Sequence, residues 1–302
     1  MSARLSSPAP GKAGVLRASA ILLIAALLIL APGCRKDLDK VPKDKDKSLT
    51  PAQLYDKGMT LLKRGRYYRA RQVLEKVLGR PNTGLDLLAN ANLAIADAYY
   101  YDGGVINVAE GLSRYTSFLT FYPSHPRADY AQYQLGLCYL KQALGPDKDQ
   151  ATTRQALDAL RKVEIDHPDS DFAIAAREKA NLCRERLAES ETRIALFYMK
   201  RESWAGATDR FREVLALYSR YSKRDKVYFF LAEALRNSDK NVEAQIYYQK
   251  VLDEFPKSRY AGGARSALAE GQESEGRRAE APEGKKSSAV RQTGGAAPVK
   301  GG

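Results

Sequence analysis

The chain has 302 residues, of which 44% are hydrophobic and 28% charged, and carries a formal net charge of +13. That length suits one elongated array or two compact domains. Two histidines and three cysteines, with no Walker loop, Rossmann glycine fingerprint, nucleophile elbow or zinc-protease helix, leave an enzyme few residues to work with, and a non-catalytic chain is expected.

At the N-terminus Arg4, Lys12 and Arg17 precede an uncharged apolar run over 18–31, which ends in Ala31-Pro32-Gly33-Cys34. The run is too short to span a bilayer. It reads as a lipoprotein signal peptide over 1–33: small residues let the peptidase reach the backbone, and the Cys34 thiol takes the lipid. Ala31 stands where a larger aliphatic is usual, with Leu30 one place upstream, and an uncleaved anchor is the alternative. Several acyl chains would hold the chain stably to a membrane. This covalent lipid on Cys34 is the one attached group expected, with no other cofactor and no metal.

The segment 34–49 follows as a charged tether, alternating Lys and Asp with hardly an apolar residue. It opens with Arg35-Lys36 and lacks the Asp after Cys34 that favours inner-membrane retention in enteric bacteria, so outer-membrane sorting on the periplasmic face is expected. At the other end, 270–302 is rich in Gly, Ala, Lys, Glu, Ser and Pro without periodicity and is expected to be disordered. Leader, tether and tail together hold about half of the net charge, so the body between them is only mildly basic. An exported chain rarely meets nucleic acid, which leaves a solvated basic face, anionic headgroups or acidic partner domains.

Over 50–269 the chain repeats itself. A small residue, a bulky one four later and a Pro twelve later recur as Gly111, Tyr115, Pro123; Ala156, Leu160, Pro168; and Ala244, Tyr248, Pro256. Ala207 and Phe211 have Ser219 in the Pro position, and Ala70 and Leu74 have Pro81 one residue early. A small side chain lets two helices approach, the residue one turn on fills the gap, and Pro ends the second helix. The spacing therefore predicts five helical hairpins in an all-α, TPR-type solenoid whose core is made by stacking and whose curvature makes a groove. Short breakers such as Lys63-Arg64-Gly65-Arg66 and Lys200-Arg201-Glu202-Ser203 divide the hairpins. Repeat two carries an enlarged turn near 102–108, repeat three an insertion near 144–150, and 172–200 reads as one long helix capped by Asp169 or Ser170.

The cysteines and histidines fit this plan without chemistry. Cys138 and Cys183 lie in apolar helical contexts and are expected as buried thiols rather than a disulfide. His125 and His167 sit beside helix-ending prolines, where a turn role outweighs a metal or general-base role. Among the tyrosines, Tyr67 and Tyr99 match interior positions. Tyr68, Tyr100 and Tyr101 are freer and could wall a groove for an extended, aromatic-ended peptide. Trp204, Ala207 and Phe211 share one helical face, with Arg210 between the buried positions and Arg201 at the preceding turn.

Several segments resemble the BamD family, the TPR lipoproteins of the outer-membrane β-barrel assembly (BAM) machine: Ala96-Asp97-Ala98-Tyr99-Tyr100, the stretch from Asp149 to Leu157, His167-Pro168-Asp169-Ser170-Asp171-Phe172-Ala173, Arg186-Leu187-Ala188-Glu189-Ser190-Glu191 and Phe197-Tyr198-Met199-Lys200-Arg201. The turn of repeat two, Ser219 and the long tail depart from the family. The resemblance implies an outer-membrane protein assembly factor, a scaffold that receives unfolded outer-membrane β-barrel proteins on its N-terminal repeats. It also implies that Arg201 and Arg210 contact the POTRA domains of the barrel-forming subunit, which suits the planar guanidinium fork; on spacing alone they could equally be exposed cations without a partner. The alternative is another periplasmic TPR lipoprotein serving envelope, Tol-Pal or pilus machinery.

Overall fold

The computed structural model describes residues 46–280; the expected signal peptide, the expected lipidation site Cys34, most of the tether and the tail from 281 onward lie outside these residues. Among the described residues are eleven α-helices and no strand: α1 Pro51–Lys63, α2 Tyr67–Leu78, α3 Leu85–Asp102, α4 Gly104–Phe121, α5 Ala128–Gln142, α6 Ala151–Asp166, α7 Ala173–Lys200, α8 Trp204–Leu217, α9 Arg224–Arg236, α10 Asn241–Glu254 and α11 Ala261–Glu280. They belong to one compact unit that begins at Thr50, and each helix packs on its chain neighbour. Thr50 starts the array with a capping box, its hydroxyl accepting from Gln53 N–H while the Gln53 side chain accepts from Thr50 N–H.

The small-then-bulky pattern is the packing code. Leu74, Tyr115, Leu160 and Phe211 are fully buried and Tyr248 nearly so. Their partners are small residues on the preceding helix: a Cβ on Gly58 would lie 2.5 Å from the Leu74 side chain, and one on Gly136 2.7 Å from Leu160. Adding even a methyl at these sites would force the bulky residue out of its well. Stacking divides the interior into successive clusters. Cys138 lies in the one around Tyr115 and Cys183 in the next around Leu160, both buried and free, with burial pushing their thiols up to about 12 and about 11.

The hairpin-ending turns are built alike. Tyr122, His167 and Phe255 precede prolines and adopt φ near −130° to −136° with ψ 53° to 59°; Tyr218 takes φ −125°, ψ 55° before Ser219. Proline excludes the α region for the residue before it, and at Tyr218 the same turn forms without that restriction. Three residues into each of the three proline turns a side chain accepts the backbone N–H two residues on: His125 Nδ1 from Arg127 (3.1 Å), Ser170 Oγ from Phe172 (3.0 Å) and Ser258 Oγ from Tyr260 (3.1 Å). The same side chains reach the second residue of the preceding repeat's first helix. Ser170 Oγ donates to Asp129 Oδ2 at 2.6 Å, Ser258 Oγ to Asp225 Oδ2 at 2.5 Å, and His125 Nε2 lies 3.5 Å from Asp86 Oδ1. His125 thus stands where two other repeats use Ser, and His167 is a helix-ending residue whose N–H bonds Val163 O.

Three details depart from the sequence expectations. The extra residues of repeat two lengthen the helices rather than the turn: α3 and α4 have 18 residues each, with Gly103 (φ +75°) alone between them. Phe172 rather than Asp169 or Ser170 is the α7 N-cap, and Ser170 acts through the N–H of that residue. The last helix does not stop at the expected array end of 269, because α11 runs on to Glu280; its packing lies earlier, with Ala264 buried, Ala267 and Leu268 against the last core, and Arg236 donating to Glu270 at 3.3 Å.

The helix α7 has 28 residues, twice the length of α8, and its two halves serve different neighbours. α6 runs beside it from Arg177, paired with Glu164, to Glu191, near Arg154. α8 and the turn after it run beside the C-terminal half, from Tyr198 opposite Gly206 down to Glu185, whose carboxylate accepts from Ser222.

Candidate functional site

The tyrosines of the first two repeats meet where α2 starts and α3 ends. Arg71, one turn into α2, is the residue that composition did not single out and the one that organises them. Its guanidinium is 2.7 Å from Asp102 Oδ2, donates to Ala98 O at 3.3 Å, and lies 4.3 Å from the Tyr99 ring centre and 5.6 Å from that of Tyr68. A buried fork with a carboxylate, a carbonyl and two ring faces is a fixed element rather than a solvated cation. The Tyr67 and Tyr101 rings stack at 6.2 Å, and Tyr101 meets Tyr100 edge-on at 5.2 Å.

Of the three tyrosines expected to wall a groove, the structure exposes two. Tyr68 is 63% and Tyr101 46% exposed. Tyr100 is instead half-buried against the second core cluster; Gly111 comes so close that a Cβ there would lie 3.3 Å from Tyr100 N, and burial pushes the phenol up to about 12. Lys141 covers one face of the ring, its Nζ 3.8 Å from the ring centre, and donates to Tyr100 O. Tyr67 and Tyr99 pack in the first cluster, as their interior register requires.

Beneath this patch lies a buried polar chain. Asp97 Oδ1 accepts from Tyr115 OH (2.6 Å) and Tyr130 OH (2.9 Å), and Gln134 Nε2 donates to Tyr130 OH (2.9 Å) and to Tyr101 OH (3.4 Å). Burial pushes the Asp97 carboxyl above its usual range against these hydrogen bonds and the Arg127 charge, which pull it down. The chain ties α3, α4 and α5 together under Tyr101, so the exposed ring rests on a rigid floor.

The second region is the hairpin of α7 and α8. Arg201 ends α7, exposed, with its guanidinium 5.3 Å from the Phe197 ring centre; Phe197 is itself 56% exposed. Arg210 does not stand free: Nη1 donates to Glu213 Oε2 at 3.1 Å and lies 3.9 Å from Glu191 Oε2, while Arg154 holds the other Glu191 oxygen at 3.7 Å. A partner carboxylate at Arg210 would therefore compete with Glu213. Ala207 and Phe211 are buried as their spacing predicts, but Trp204 is only half-buried, because it opens α8 at the free end of the hairpin.

Among the described residues no three His, Cys, Asp or Glu side chains are grouped to hold a metal ion, and no helix is long and apolar enough to cross a membrane. What the described surface offers is two distinct regions, one aromatic and one cationic.

Comparison with known proteins assigns the family. A family model described as an outer membrane lipoprotein matches residues 47–239, from the last tether residues through α9. The outer membrane protein assembly factor BamD of Caulobacter vibrioides is 30% identical over 226 residues, covering 75% of this chain and 72% of the relative. The chain belongs to the BamD family. BamD of Vibrio cholerae is 28% identical, covering 65% of this chain and 81% of its own, and BamD of Rickettsia prowazekii 25% identical, covering 79% and 93%. A tetratricopeptide repeat model matches 227–258, the α9–α10 hairpin. Membership favours the assembly-factor reading over a Tol-Pal or pilus role. The BamD-like segments fall on both regions: Ala96–Tyr100 carries the buried Asp97 and the half-buried Tyr100, and Phe197–Arg201 carries the exposed end of α7.

Proposed function

We propose that this protein is an outer membrane protein assembly factor that works by binding rather than catalysis. Lipid on Cys34 would hold it to the periplasmic face of the outer membrane. Its first repeats would receive unfolded outer-membrane β-barrel proteins, and the α7–α8 hairpin would dock the POTRA-containing barrel subunit of the BAM complex. The observation that carries this reading is the family match over 47–239, which spans the hairpins bearing both recognition regions. The exposed Tyr68 and Tyr101 rings support the client role: an extended peptide ending in an aromatic residue can lay its ring against theirs and its backbone against their hydroxyls. Arg201 beside the exposed Phe197 supports the docking role, since a cation over an apolar ring suits the centre of a protein interface.

Depletion tests the assembly role. Barrel proteins in the outer membrane, scored by their heat-modifiable mobility, should fall as the protein is depleted and recover with the wild-type chain. Cys34→Ser should remain an unprocessed precursor without fatty-acid label and fail to restore them. Unchanged barrel levels on depletion would overturn the assembly role, and equal fatty-acid label on Cys34→Ser would overturn the anchor.

A further inference from the structure

The unequal coverage of α7 leaves a cleft that neither recognition region uses. Its floor is the stretch of α7 from Arg177 to Glu185; the end of α6 forms one wall and the turn from Leu217 to Tyr221 the other, enclosing about 610 Å³. That stretch rises about 12 Å along the helix, room for three or four residues of extended chain.

Its charges are unevenly satisfied. Arg177 is paired with Glu164 Oε2 (3.2 Å), and Glu185 accepts from Ser222 N–H (2.9 Å) and Oγ (2.5 Å). Arg184 meets only the Asn181 amide oxygen at 2.7 Å, and Arg220 has no partner among the described residues. Two guanidinium groups thus face the opening without a carboxylate. On the opposite side, Glu164 Oε1 is buried without a hydrogen-bond donor among the described residues. Leu217, in the wall, is 62% exposed, and Ile174, one turn before Arg177 on α7, 71%.

We propose that this cleft docks an extended acidic segment of a protein partner, as a binding site served by other residues than Arg201 and Arg210. An aspartate or glutamate of that segment satisfies Arg184 and Arg220, and an apolar side chain covers Leu217. A peptide supplies donors and acceptors together at the short intervals the cleft requires. Phosphate would set up to two negative charges beside Glu164 and Glu185 and has no apolar group to cover Leu217.

The test uses the full lipidated chain in detergent micelles and a fluorescent decapeptide of alternating Asp and Leu, read by anisotropy at low salt. Wild-type protein should bind it and lose most of the affinity when Asn replaces Asp. Arg184→Ala with Arg220→Ala should weaken binding at least tenfold, about 1.4 kcal/mol, with an unchanged melting curve. Leu217→Asp, a change at an exposed site, should weaken it as well, while Arg201→Ala should not. Equal affinity for wild type and both cleft variants, or binding to phosphatidylglycerol vesicles or inorganic phosphate in preference to the peptide, would overturn the proposal.

Discussion

Arg210 illustrates how one residue's neighbours set its meaning. Its guanidinium already lies between Glu213 and Glu191, so Arg210→Glu places three carboxylates together and should lower stability by about 1 kcal/mol, where Arg210→Gln costs less. Both should reduce recovery of the barrel subunit in a pull-down at fixed salt; full recovery with both would remove Arg210 from that interface. Glu189 carries the acid response. Burial opposes its ionisation, but hydrogen bonds from Tyr221, Lys223 and Arg193, with the Lys226 charge, bring the carboxyl down to about 2. The folded pKa lies below the ordinary value of 4.5, so this contribution is complete above that pH and is lost as pH falls towards 2. Melting curves of Glu189→Gln should therefore lie below wild type at neutral pH and converge with it near pH 2, and parallel curves would refute this. Periodicity could assign Tyr67 and Tyr99 to the interior because register alone decides them. It could not separate Tyr100 from Tyr68, since that depends on how close Gly111 brings a neighbouring helix, nor find Arg71, whose partners Ala98, Tyr99 and Asp102 lie on the next repeat.

At the scale of the element, the hairpins were legible because their code is local: a small residue, a bulky one a turn later and a stop. The stop at Ser219 is informative because the backbone of Tyr218 matches that before each proline. Ser219→Pro should therefore stabilise the protein, by about 0.4–1 kcal/mol, chiefly by restricting the unfolded chain. A higher melting temperature checks it, and a lower one would mean that the turn cannot hold the ring. The misread elements share one cause. Composition marks where extra residues are, not whether they extend a helix, so the surplus of repeat two was placed in a turn although it lengthened α3 and α4. The C-terminal helix was cut short for the same reason: Glu, Arg and Ala over 272–280 favour helix as readily as a solvated tail.

Across the whole array, stability is a sum over neighbours, so the ends are weakest. α11 covers the last core, with a Cβ on Gly263 only 3.0 Å from the Phe229 ring. Ending the chain after Tyr260 should speed amide exchange in α9 and α10 while leaving α3 to α5 nearly unchanged; uniform loss of protection would show one cooperative block instead.

The long α7 has a further consequence, which is mechanical. A 28-residue helix is about 42 Å long, and it is the one continuous rod joining the third hairpin to the fourth. Repeats that meet at a short turn can adjust separately, each absorbing a neighbour's displacement in its own joint. A rod cannot: turning it by about 5° about its middle carries each end sideways by about 2 Å, enough to break a hydrogen bond. Hydrogen bonds from Ser222 to Glu185 and from Tyr221 to Glu189 clamp the next turn onto this rod near its middle, close to a fulcrum. Strain applied at the aromatic end would thus reach the Arg201 end as a swing rather than as a chain of small side-chain shifts.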